Sequence, residues 1–137
     1  TPGIRAHRPK AESKSTMGGW YAAKGLYVAE ELGGLSVTRF CEAVNAEGAE
    51  YRIMPGANIL MHLHPVMNDI DVYGDGCPTR IAFSDRDLRQ GLGSLPVTES
   101  LPEKCLSVPW FKHYRREVID EYVSAFQKVA RRYKDLL

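Results

Sequence analysis

The chain has 137 residues, of which 44% are apolar, and 18 Lys and Arg against 17 Asp and Glu leave a formal charge of +1. That length fits one domain with a single core, and so balanced a charge gives no reason to expect nucleic acid or an anionic membrane as partner. No apolar run approaches the roughly 18 residues that span a bilayer, and no signal-peptide pattern opens the chain.

Residues 1–18 are rich in Pro, Lys, Arg and Ser, a composition that cannot bury enough surface to fold alone. They read as a linker or a poorly ordered arm, and Thr1 in place of a methionine reads as the start of a piece cut from a longer polypeptide. The domain is expected over residues 19–137. Aromatic residues from Trp20 to Tyr27 suit an extended segment, placed near Trp20–Leu26, which Gly25 weakens. Gly33-Gly34 marks a turn. Ser36 then caps a helix over Val37–Ala46, with Val37, Phe40, Cys41 and Val44 on one face and Gly48 at its end.

A second extended stretch is expected at Tyr51–Ile53, stopped by Pro55-Gly56, and Asn58 to His64 is a further apolar run. Met67 to Gly93 is dense in Asp, Gly and Arg and reads as a loop system. Within it Asp75-Gly76 suits a turn, Arg80–Phe83 a short strand, and Asp85–Gln90 one helical turn. Leu95-Pro96-Val97-Thr98-Glu99 opens a short helix. Cys105–Val108 is a strand bounded by Pro109. Val118, Ile119, Tyr122, Phe126, Val129, Ala130, Tyr133 and Leu137 then recur at helical spacing over Arg116–Lys134. Short strands interleaved with two helical faces define an α+β fold, a small mainly antiparallel sheet with flanking helices.

His62-Leu63-His64 is the sharpest chemical signal. On a strand, residues two apart share a face, and two imidazoles so placed suit a divalent metal. The run from Gly56 through His62 and His64 to Asp69 and Gly76 is similar to the first metal motif of cupin barrels, with Asp69 where those carry glutamate. A cupin also needs a closed barrel and a third histidine from a later strand, and only His113 remains, beside a long helix. Two histidines lining a cleft or the sheet edge are therefore preferred to a metal site. The aspartates at 69, 71, 75, 85 and 87 lack EF-hand spacing, and no Gly-x-Ser-x-Gly elbow occurs. Cys41, Cys77 and Cys105 are odd in number and widely spaced, which suits isolated thiols in a reducing, cytoplasmic setting.

From Ser36 to Leu137 the order of motifs resembles the end of the DegT/StrS family of pyridoxal-phosphate-dependent sugar aminotransferases. The helix Ser36 to Gly48 resembles the family's F-x-x-A-L-x-x-E-G-I segment. Pro55 to Pro65 takes the place of its active-site loop, and Leu95-Pro96-Val97-Thr98-Glu99, Leu106-Ser107-Val108-Pro109 and the helix from Tyr114 complete the match. The resemblance implies the small C-terminal domain of a fold-type-I enzyme. It implies that Asn58, His62 and His64 face a keto-sugar or keto-cyclitol, with glutamate or glutamine as amino donor and a homodimeric full-length protein. It also implies that pyridoxal phosphate is held by a large domain upstream of Thr1, since no lysine here sits in the cofactor-lysine motif, so that this chain alone has no catalytic residue. Its rivals are a stand-alone binding or regulatory domain and the cupin-like metal protein using His62 and His64.

Overall fold

A computed structural model describes residues 1–16, 22–56 and 58–137. In chain order the elements are β1 (Ile4–Ala6), β2 (Lys24–Tyr27), α1 (Val37–Ala46), β3 (Met54–Pro55), α2 (Pro65–Asn68), α3 (Pro96–Glu99), α4 (Leu101–Lys104), β4 (Cys105–Ser107) and α5 (Arg116–Arg131). Short 3-10 turns lie at Ala29–Leu32, Met61–Leu63 and Tyr133–Leu136. The fold is α+β, with one four-stranded antiparallel sheet in the order β1-β2-β4-β3. The chain divides into two compact units, residues 1–57 with 102–137, and residues 58–101.

The first unit holds the sheet and the apolar core. Ser36 opens α1 as expected, its Oγ accepting a hydrogen bond from the Arg39 amide at 3.2 Å. The apolar face of α1 is buried at Val37, Phe40, Cys41 and Val44. Phe40 packs between Tyr27 and Phe126, with ring centroids 5.3 and 5.8 Å away. From α5, Val118, Tyr122, Ala125, Val129 and Ala130 complete the core, so the helical spacing read in the sequence finds its buried side. The helix gives way to a 3-10 turn at Tyr133, and Leu137 is exposed rather than on the apolar face.

Gly25 has a packing reason to be in β2. It pairs with Leu106, and a Cβ there would stand 3.0 Å from the Leu106 side chain. The absent side chain lets Leu106 be fully buried. Trp20 and Tyr21, placed in this strand by the sequence, lie outside the described residues. Ile4–Ala6, expected to be part of an arm, instead pairs antiparallel with β2 as an edge strand. Pairing supplies the partner that a polar segment of this composition lacks by itself.

Three expectations are corrected. Tyr51–Ile53 is not a strand; the ladder takes only Met54–Pro55. The Ile53 peptide is held by a side chain instead, since Asn45 Nδ2 donates to its carbonyl at 2.9 Å and Oδ1 accepts from its amide at 2.8 Å. Arg80–Phe83 is a turn with no ladder partner, and Asp85–Gln90 is a bend at Asp85 and Arg86 followed by irregular chain rather than a helical turn. The Asp75-Gly76 segment does bend, but Asp71 organises it by accepting amide hydrogen bonds from Gly74, Asp75 and Gly76.

Candidate functional site

The second unit, residues 58–101, has no apolar core. Its one buried residue is His62, at 4% exposure, while Ile59, Met61, Phe83, Leu92 and Val97 are exposed. Burying polar atoms is costly unless they are hydrogen-bonded, so the contacts that hold this histidine define the candidate site.

His62 lies in the 3-10 turn Met61–Leu63, and His64 immediately precedes Pro65, the first residue of α2. The strand geometry expected for the pair is therefore absent, and with it the shared face. Pro65 favours a helix start rather than strand continuation, and it brings the chain round at this point. His64 Nδ1 accepts from the Val66 amide at 3.1 Å, capping α2. That bond assigns the proton of the neutral ring to Nε2, which makes Nε2 a donor.

His62 is fixed on two sides. Its carbonyl accepts from Asn68 Nδ2 at 2.7 Å, and the same nitrogen donates to the His64 carbonyl at 3.2 Å. Its Nε2 stands 3.0 Å from Glu99 Oε1. Glu99 is itself anchored, because Oε1 accepts from the Leu95 amide at 3.0 Å and Oε2 from the Gly93 amide at 2.7 Å. The Leu95 amide does most to hold the Glu99 carboxyl below the usual carboxylate range; burial opposes it, and Gly93 and His62 add to it. Asn68 Oδ1 is buried with no hydrogen-bond partner among the described residues.

Of the three residues nominated from the sequence, His62 and His64 share one turn and Asn58 is exposed at the start of the same unit. Glu99 and Asn68 were not nominated. For Glu99 the signal was present: proline at the first helical position with a carboxylate three residues on favours a self-capped helix start, here using the Leu95 amide. For Asn68 no local pattern marks the role.

Among the described residues no three His, Cys, Asp or Glu side chains converge as a metal site. The four strands form an open sheet rather than the closed barrel that a cupin requires. Pyridoxal phosphate does not fit the residues present. The half-buried Lys24 donates to Ser107 Oγ at 2.8 Å, Lys128 pairs with Glu47, and the other lysines are exposed. The cysteines are free, Cys41 and Cys105 buried and Cys77 half-buried. No helix among the described residues is long and apolar enough to cross a membrane.

The first unit has its own cavity of about 550 Å³ between the inner face of the sheet and α5. Ile4, Leu106, Val108, Ile119, Val123 and Phe126 are among its lining residues.

No protein-family model, curated protein or solved structure matches the chain.

Proposed function

We propose that this chain is the small C-terminal domain of a pyridoxal-phosphate-dependent aminotransferase acting on a keto-sugar or keto-cyclitol. In this reading the cofactor and its lysine belong to a large upstream domain, glutamate or glutamine is the amino donor, and the complete enzyme is a homodimer. Residues 58–101 wall the substrate cleft, with Asn58, His62 and His64 toward the polyol.

One observation carries the reading. The segment Pro55 to Pro65, which takes the place of the family's active-site loop but carries His-Leu-His where relatives often show Tyr and a single His, and the Leu-Pro-x-x-Glu segment are brought together where His62 and Glu99, 37 residues apart, meet at 3.0 Å. The segments between and around them also follow the order the family requires: helix α1, the histidine turn, the short helix α3, strand β4 and the long helix α5.

The stand-alone binding domain is the second reading, favoured by the apolar cavity against α5. The reading frame upstream of Thr1 separates the two. Several hundred preceding residues, whose product with this chain shows an internal-aldimine absorbance band that borohydride fixes onto a lysine, support the aminotransferase. A start codon near Thr1, or a longer product without that band, overturns it. The 137-residue chain alone is expected to show no such band after incubation with pyridoxal phosphate and dialysis.

A further inference from the structure

We infer that Glu99 is a positioning residue for His62, fixing its proton on Nε2 and presenting Nδ1 as an acceptor for a ligand hydroxyl. The ligand half of this inference rests on the aminotransferase reading; the positioning half does not.

Backbone amides have one hydrogen and only donate, so the Gly93 and Leu95 amides require Glu99 to accept at both oxygens. An ionised carboxylate does so at both, and the shared Oε1 retains capacity for one further donor. His62 Nε2, 3.0 Å from that oxygen, is therefore the protonated nitrogen. In a neutral imidazole the other nitrogen is then an acceptor. His62 Nδ1 makes no hydrogen bond among the described residues, and it is not among the buried unsatisfied atoms.

Glu99 also restricts where the ring sits. Its two backbone anchors lie in the segment that starts α3, so the carboxylate belongs to a fixed frame rather than a mobile side chain. The Asn68 bond to the His62 carbonyl fixes the main chain on the other side. A ring tied at Nε2 and at its own backbone has little rotamer freedom left to lose when a ligand binds.

The turn's remaining polar groups describe the ligand. His62 Nδ1 is an acceptor without a donor among the described residues, and His64 Nε2 is a donor. A polyol carrying a carbonyl supplies a hydroxyl donor for the first and an oxygen acceptor for the second. An anion supplies no donor for Nδ1, and a simple apolar ligand supplies nothing.

The test uses the chain labelled with 15N-histidine and a long-range 1H–15N correlation spectrum at neutral pH. The wild-type protein is expected to show His62 as the Nε2–H tautomer, and Glu99→Gln is expected to mix the tautomers. A wild-type ring found as the Nδ1–H tautomer, or as a free mixture, overturns the inference even if the variant fails to fold. The longer enzyme provides the ligand arm. There Glu99→Gln and His62→Ala are each expected to lower kcat/KM for a keto-cyclitol by about ten- to hundredfold, as loss of a polar contact does, with the cofactor absorbance intact. Glu99→Asp should recover part of the loss. Unchanged kinetics with a fixed tautomer overturn the ligand half alone, whereas a missing cofactor band overturns the function reading and leaves the tautomer result standing.

Discussion

Asn45→Ala tests the most unexpected structural contact in the first unit. The Asn45 amide stands in for a missing sheet neighbour by pairing with both polar groups of the Ile53 peptide, at 2.9 and 2.8 Å. Ile53 itself is fully buried, so water cannot readily replace the lost partner. Leaving a buried donor or acceptor unsatisfied costs about 1–3 kcal/mol each, and two such groups with partial relaxation place the loss at about 2–4 kcal/mol. That is a large share of the roughly 5–15 kcal/mol by which a domain is stable. With a urea dependence of about 1.5 kcal/mol/M, the midpoint should fall by about 1.3–2.7 M at unchanged slope. Equilibrium urea unfolding followed by far-UV circular dichroism measures it. A midpoint shift under ~0.3 M, which lies within the range of ordinary surface substitutions, would show that the Ile53 peptide does not depend on Asn45.

Phe40→Ala removes the ring shared by Tyr27 and Phe126 at a fully buried position and should cost about 3–5 kcal/mol; a loss under about 1 kcal/mol in the same titration would mean the ring is not central to packing. Stability should also decline in alkali. Burial, with Glu42 adding, pushes the Cys41 thiol from 9.0 up to about 12, and burial, with Cys41 adding, pushes the Tyr27 phenol from 10.0 up to about 12. Both folded values lie above the unfolded ones, so the folded state holds more protons: the contribution is complete below about pH 9 and is lost as pH rises toward 12. A urea midpoint that holds or rises across that interval contradicts the assignment. In step with this, Cys41 should resist a thiol reagent at pH 8 in the native protein and react once urea unfolds it.

Local chemistry made much of the first unit legible. The Ser36 cap, the spacing of Val37, Phe40, Cys41 and Val44, and the apolar face of α5 all follow from helix geometry over a few turns, where neighbours in sequence are neighbours in space. Cys105 to Ser107 was likewise readable, because a short β-prone run ended by a proline has few alternatives. Strand partners were not. Ile4–Ala6 lies within a polar segment and becomes a strand only because β2 offers it hydrogen bonds, while Tyr51–Ile53 has strand-like residues yet gives its last peptide to Asn45. Gly25 reads as a weakness until Leu106 is seen opposite it.

The site divides in the same way. Histidines two apart were visible, but their geometry depended on whether the chain ran as strand or turn, and Pro65 with the Asn68 clamp decided for the turn. Glu99 carried a helix-start signal without revealing what its second partner would be. Contact between His62 and Glu99 spans 37 residues of mostly irregular chain. Periodicity and capping act over one or two turns, so only the tertiary structure, which closes that loop, brings the carboxylate to the ring.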